Sequence, residues 1–307
     1  MIICLGTTPA LQQTMTFERV VIDDVNRAID TRQYASGKPI NVARVLHTLR
    51  RRPLASGFVG GDTGKFIRRD LDEIGLAHDF VEVKPATRMC VTMVDRSAGT
   101  ATELIEESAA VQSNDCDLLL AKLRSQMGQC EGLVLSGKLA PGVPVDFYAR
   151  CITEAGGKLV VLDATGEALR RALATGPTIV KPNQKELAET VGMTIDSDAS
   201  LKDAIGKLIA AGPKWVVVTA GAGKTVVSDG KQFWRLATPS VRVISPIGSG
   251  DSFAAGLAAA VSAGQEVPQA CRLAVACGAA NAMTSFAGHL RVEDVDALLS
   301  GIAVEAF

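Results

Sequence analysis

Ser245-Pro-Ile-Gly-Ser-Gly-Asp-Ser-Phe-Ala-Ala-Gly256 sets three small residues, Gly248, Ser249 and Gly250, directly ahead of an apolar run. Phe253, Leu257 and Val261 recur at every fourth position, so a helix follows at once with one face turned inward. Its free N–H groups and positive dipole end point back at Gly248–Asp251, where the lack of side chains lets an anion approach the backbone. Asp251 falls in the first turn, where the dipole favours its ionised form. A carboxylate beside an anion hole can orient a hydroxyl and accept its proton as that hydroxyl attacks phosphorus. Taken by itself, the stretch also fits an ordinary glycine-rich loop with Asp251 as a helix cap. The rest of the chain has to decide.

Outward from this point, short β-branched runs alternate with amphipathic stretches. Strands are expected at Ile2–Gly6, Leu54–Val59, Leu133–Ser136, Leu159–Asp163, Thr178–Lys181 and Trp215–Thr219. Several are continuously apolar, which suits parallel strands covered on both faces. Helices are expected between them. Ile40–Arg50 places Val42, Leu46 and Leu49 together and is stopped by Pro53; Gly64–Ile74 finishes on Gly75, a good left-handed cap. This alternation marks an α/β layered domain. Two stretches break it. Residues ~12–35 and ~79–106 carry strands without intervening helices, and Arg88–Asp95 and Thr100–Ile105 flank a Ser97-Ala-Gly99 turn, a hairpin signal. Together they would make a small antiparallel sheet, either a lid or dimer surface or simply edge hairpins. The run Ala254, Ala255, Ala258, Ala259, Ala260 makes a narrow helix and is expected to pack closely on the sheet.

Composition narrows the function. The 307 residues are 47% apolar and 21% charged with a formal net charge of −1, so a disordered chain is excluded and no basic field exists to recruit nucleic acid or an anionic membrane. The longest weakly polar run, Ser252–Gly264, has about 13 residues against the ~20 of a spanning helix. Seven cysteines without a C-x-x-C pair and three scattered histidines write no zinc motif; they imply buried thiols in a reducing cytoplasm. Small-molecule chemistry remains.

Ser245–Gly256 resembles the C-terminal signature of the ribokinase-like (PfkB) sugar-kinase family. Val25-Asn-Arg27 and Ala35-Ser-Gly-Lys-Pro-Ile-Asn-Val-Ala-Arg44 resemble its first signature. Ser136-Gly-Lys-Leu-Ala-Pro-Gly142, Asp163-Ala-Thr-Gly-Glu-Ala-Leu169 and Lys181-Pro-Asn-Gln-Lys-Glu-Leu187 follow in the order of the branch holding 1-phosphofructokinase and tagatose-6-phosphate kinase. The similarity runs from about residue 5 to 290. It implies one domain over 1–307 with a three-layer α/β/α fold, a mostly parallel central sheet and the inserted strands as a small antiparallel lid. It also implies ATP and Mg²⁺ as cofactors.

Carried over by position, Asp251 is the catalytic base, with Gly248, Ser249 and Gly250 cradling the transferring phosphoryl group. Asn183 and Glu186 support Mg²⁺, Glu186 through water. Thr219 and Gly221 lie along the nucleotide, and Asn281 near its base. Gly37, Lys38 and Asn41 hold the sugar and Arg88 its phosphate, with Arg27 and Lys138 as further cations. A lone lysine or arginine is otherwise a solvated surface charge. The chain departs from the family on the sugar side. Gln12 stands where an aspartate is usual in Thr8-Pro-Ala-Leu-Gln12, Pro39 replaces a glycine after Lys38, and Lys138 replaces a hydroxyl. Gln12 accepts from one hydroxyl and donates to another, where aspartate accepts from two. Gly221-Ala-Gly-Lys-Thr225 imitates the tail of a Walker A loop, but Val218 occupies its leading glycine position; Lys224 either meets ATP phosphates or faces solvent.

The expected activity is phosphorylation of a phosphorylated ketohexose, fructose 1-phosphate first and tagatose 6-phosphate second. An unphosphorylated sugar or nucleoside as acceptor, or a non-catalytic binding regulator, are the alternatives. A homodimer through the lid accompanies the resemblance.

Overall fold

Strands apolar on both faces belong in a layer covered from both sides, and the computed structural model, which describes all 307 residues, has them there. The chain begins with β1 (Ile2–Leu5), β2 (Ala10–Phe17), β3 (Asp30–Ser36), α1 (Lys38–Thr48), β4 (Pro53–Ser56), β5 (Phe58–Val59), α2 (Gly61–Glu73), β6 (Val81–Glu82), β7 (Met89–Asp95), β8 (Thr100–Ile105) and α3 (Ser113–Gln126). It continues through β9 (Gly132–Ser136), α4 (Phe147–Ala155), β10 (Leu159–Asp163), α5 (Gly166–Leu173), β11 (Ile179–Val180), α6 (Gln184–Val191) and α7 (Asp198–Ala210). Last come β12 (Trp215–Val218), β13 (Thr225–Ser228), β14 (Phe233–Leu236), α8 (Ser249–Ser262), α9 (Val267–Ala282), α10 (Val292–Leu299) and β15 (Glu305–Ala306).

The main sheet has the order β15-β14-β13-β12-β11-β10-β9-β1-β4, parallel from β12 to β4 and antiparallel beyond β12. Because side chains alternate along a strand, Ile2 and Cys4 face a core built with α1, α8 and α9, while Ile3 and Leu5 face one built with α3, α4, α5 and α7. The three-layer expectation holds. All seven cysteines are buried and free, and no helix is long and apolar enough to cross a membrane.

Several boundaries moved for local reasons. The strand expected at Leu54–Val59 breaks at Gly57, whose Cα lies so close to the Gly6 carbonyl that no Cβ fits; β5 then pairs in parallel with β6 as a separate sheet. Helix α1 starts two residues early, at Lys38, because Pro39 sits in the first turn, where its missing N–H costs nothing. The four-stranded small sheet has the order β3-β2-β7-β8. Its outer pairs, β2–β3 and β7–β8, are antiparallel as expected, and β2 and β7 join them side by side in parallel register.

The alanine run in α8 serves a different neighbour from the one expected. It lies against α9 and α1 more than against the sheet. A Cβ on Gly256 would come within 2.9 Å of the Ala274 Cα and the Leu273 carbonyl oxygen, both backbone atoms of α9. Gly256→Ala is therefore expected to destabilise by about 1–3 kcal/mol through overpacking, despite alanine's better helix propensity. Thermal unfolding at or above the parent's would show the two helices to be loosely apposed.

Candidate active site

The parallel strands deliver a row of polar residues to their carboxyl ends: Ser136 from β9, Asp163 from β10, Lys181 just past β11 and Thr219 just past β12. Open α/β sheets bind ligands along this edge. Helices α1 and α8 begin here too, each from a glycine N-cap with positive φ, 96° at Gly37 and 83° at Gly248. A side chain is excluded at both. A Cβ on Gly37 would meet the Pro9 Cα at 2.9 Å, and one on Gly248 would meet the Ala287 Cα at 2.8 Å. The two first turns are tied together, because Asn41 Nδ2 donates to Asp251 Oδ2 at 2.8 Å across 210 residues of sequence. Only Asn41 donates to this carboxylate, so Oδ1 is left for a ligand.

Four charges sit at this edge. Lys38 Nζ and Lys181 Nζ lie 3.2 and 3.4 Å from the same oxygen, Asp163 Oδ2. Lys181 and Asp163 are 4% and 1% exposed, so the pair is desolvated; Lys38 is 41% exposed and stays open to solvent. Burial works to raise the Asp163 pKa, but the two ammonium groups outweigh it and hold the carboxyl below its usual range. Asp163 in turn holds Lys38 firmly protonated. Asp251 is left under-neutralised. Burial, with Asp163 pushing the same way, raises its pKa from 3.8 to about 6 against the pull of Lys38. Such a group is ionised at neutral pH yet basic enough to take a proton.

Beside this quartet opens a cleft of about 500 Å³. It is lined by Thr219, Gly221 and Ala222 after β12, by Pro239, Val241, Val243 and Pro246 of the segment leading to α8, and by Gly278, Ala279 and Ala282 of α9. Ser249 and Gly250 line its inner end. A Cβ on Gly250 would sit 3.8 Å from Lys181 Nζ, so the cleft and the charged cluster meet at the first turn of α8. A largely apolar cleft that meets a helix N-terminus with a buried ammonium suits a nucleotide with its phosphates toward that helix.

Residues 1–289 match the family model of the pfkB family carbohydrate kinases. The chain belongs to that family. It is 29% identical to a candidate phosphofructokinase of Staphylococcus aureus, over 100% of this chain and 99% of that one, with a TM-score of 0.83. It is 25% identical to Escherichia coli phosphofructokinase-2, solved in complex with fructose-6-phosphate, over 98% and 97% of the two chains at TM-score 0.87. The ribokinase-like fold is seen in Arabidopsis thaliana ribokinase, solved with ribose and ATP, at 21% identity, 97% coverage of both chains and TM-score 0.75. The protein is thus a sugar kinase, a phosphotransferase with an alcohol acceptor. Kinases of this family use ATP, generally with Mg²⁺.

The kinase has no group of three or more carboxylate, imidazole or thiol side chains that could chelate a metal. That fits Mg²⁺, which keeps several waters and takes phosphate oxygens rather than a protein cage. Asn183 and Glu186 form the capping box of α6: the Glu186 N–H donates to Asn183 Oδ1 and the Asn183 N–H to Glu186 Oε2, each at 2.8 Å. One amide nitrogen and one carboxylate oxygen stay free of that box. Glu186 is near enough to Lys38 to help hold it protonated, so α6 starts beside the charged cluster.

On the acceptor side the predicted residues are spread out. Gln12 is buried, and its Nε2 donates to Thr92 Oγ1 at 2.9 Å inside the small sheet. Arg88 donates from its Nη atoms to the carbonyls of Glu106 and Thr8, while its buried Nε has no partner. Arg27, Lys138 and Lys224 are exposed and make no side-chain bond to the cluster; Gly221, but not Lys224, lines the cleft. Asn281 corrects the expectation. It does not line the cleft at all but is fully buried beneath the loop, donating to the Ile247 carbonyl and accepting from Ser252 Oγ and the Gly288 N–H. A short amide side chain at the end of α9 points under the anion loop rather than toward a base.

Asp163 and Lys181 lay inside quoted motifs without a role, and the structure makes them the electrostatic centre. The signal was present: each is a charged residue ending a run of otherwise apolar strand residues, Leu159-Val-Val-Leu162 and Ile179-Val180. Two such ends in neighbouring parallel strands bring opposite charges together.

Proposed function

We propose that this kinase transfers the γ-phosphoryl group of ATP to a hydroxyl of a phosphorylated ketohexose, fructose 1-phosphate first and tagatose 6-phosphate second. The observation carrying the reading is the free Oδ1 of Asp251, poised beside the open backbone of Gly248, Ser249 and Gly250. The acceptor hydroxyl donates to Oδ1, its oxygen attacks the γ-phosphorus, and Asp251 takes the proton as the bond to the β–γ bridging oxygen breaks. The first-turn N–H groups of α8 and the Lys181 ammonium meet the charge on the phosphoryl oxygens. Asn183 and Glu186 would reach the waters of a Mg²⁺ ion bound with the nucleotide, and that ion would supply charge to offset the phosphates.

Lys38, Asn41 and Gly37 face the acceptor, with the Arg88 guanidinium at its phosphate and Gln12 near its hydroxyls. The inserted strands act as a lid, and the chain works as one kinase domain in the cytoplasm. Exposed Val21, Ile22 and Val25 in the connection between β2 and β3, with exposed Leu104 and Ile105 on β8, support a dimer through the lid. The similarity to a phosphofructokinase-2 bound to fructose-6-phosphate adds that sugar as a further candidate acceptor.

ADP release with Mg-ATP against fructose 1-phosphate, fructose 6-phosphate, tagatose 6-phosphate, fructose, ribose and adenosine tests the reading. Turnover of about 1–100 s⁻¹ on one phosphosugar is expected, and transfer only to an unphosphorylated acceptor would retire it. Arg88→Ala should raise KM for the phosphorylated acceptor by about tenfold or more, the worth of a charge-assisted contact of roughly 1.5–3 kcal/mol, with KM for ATP little changed. An unaltered acceptor KM would remove Arg88 from the phosphate site.

A further inference from the structure

The small sheet carries acceptor contacts and the α8 loop carries phosphoryl contacts, so something must hold one in register with the other. The connection runs through the turn after α9. Ala287 and Gly288 press on both halves of the site. They fill the space where a Gly248 Cβ would be, and Gly288 lies so close to Asn41 that its own Cβ would meet the Asn41 Cα at 2.7 Å. The Gly288 N–H is held by Asn281 Oδ1 at 2.9 Å. The turn itself is knitted by Thr284 Oγ1, within 3.0–3.3 Å of the carbonyls of Asn281, Phe286 and His289.

One side chain from the small sheet reaches this turn and bonds to its backbone. Tyr34 of β3 is 2% exposed, and its hydroxyl lies 3.2 Å from Thr14 Oγ1 of β2 and accepts the Ala287 N–H at 3.1 Å. With that amide donating, the phenol proton is free to go to Thr14, so both groups are satisfied. The ring stands edge-on to Phe286 and His289, at 5.7 and 5.3 Å between centroids. Arg32, also on β3, stacks on the same Phe286, its guanidinium carbon 4.8 Å from the ring centre.

We propose that Tyr34 is a positioning residue for the transfer reaction, its hydroxyl fixing the small sheet to the 284–289 turn and so setting acceptor and anion loop in register. Small errors of register weaken transfer more than binding, because the reacting atoms must meet within a few tenths of an ångström. The inference rests on the kinase reading, and its test separates the two.

Tyr34→Phe keeps the ring and removes the hydroxyl. Expected are a kcat for phosphosugar formation lowered about tenfold, KM for ATP within twofold of the parent, and a several-fold higher ratio of ATP hydrolysed to phosphosugar formed. Thr14→Val, which cuts only the small-sheet half of the link, should move the same ratio in the same direction. Independently of activity, hydrogen exchange of the 284–290 peptide in the free protein should speed up in Tyr34→Phe, because the Ala287 amide loses its acceptor. Unchanged exchange there overturns the link whatever the parent catalyses. Faster exchange with an unchanged kcat and hydrolysis ratio would leave Tyr34 a purely structural residue and overturn the positioning role. A parent inactive on every acceptor would instead count against the kinase reading.

Discussion

Asp251→Asn should lower kcat by about 10²–10⁴, the usual worth of a positioned general base, while ATP binding measured by calorimetry stays within a few-fold of the parent. The same change should make the protein more stable at neutral pH. The fold raises the Asp251 pKa from 3.8 to about 6, so the native state prefers the protonated group. Its contribution is most favourable below pH 3.8 and is lost as pH rises through about 6. A neutral amide escapes that loss, and unfolding at pH 8 should move up by a few degrees. The parent's kcat/KM should fall on the acid side with a single-proton limb near pH 6. Turnover near the parent's in Asp251→Asn would remove the residue from the base role.

Lys181→Met should be the most destabilising of the site substitutions. It leaves the buried Asp163 carboxylate with Lys38 alone, and breaking a buried pair on one side costs about 3–5 kcal/mol. For a chain of this size that corresponds to a drop on the order of 10 °C in Tm. A second effect distinguishes lost electrostatics from lost packing. Lys181 helps keep Asp251 ionised, so its removal should push the acid limb of kcat/KM above pH 6, in the direction of a weaker acid. A Tm shift with an unmoved limb would mean that Lys181 acts on stability only.

These two results belong to one arrangement. Asp163 takes both ammonium groups, at 3.2 and 3.4 Å, and leaves Asp251 with an amide partner. Two carboxylates at one edge of a sheet are thereby driven apart in basicity, the first kept as a counter-ion and the second made ready to take a proton. Lys38 links them. It is held protonated chiefly by Asp163 and stays partly open to solvent.

Much of this was legible in the residues. Continuous apolar runs gave the parallel strands, since a strand buried on both faces has no polar side to show. β10 fell at Leu159–Asp163 as expected and the β7–β8 hairpin within one residue. Gly248–Asp251 announced a helix N-terminus, and α8 begins there with Gly248 as its N-cap. The order of motifs placed the chain in its family. These features are local, or repeat with a fixed period, and a linear text records them fully.

Tertiary structure decided what depends on distance. Asn41 meets Asp251 over 210 residues and Lys38 meets Asp163 over 125, pairings that no spacing rule encodes. Asn281 turned under the loop because α9 ends there, and its amide satisfies buried backbone groups that would otherwise be unpaired. The basicity of Asp251 was likewise invisible, because a pKa is set by burial and by which charges lie across the fold. The residues themselves set which groups were available and which elements carry them; only the meeting of the first turns of α1 and α8 with the charged strand ends determined which carboxylate is neutralised and which keeps a raised pKa.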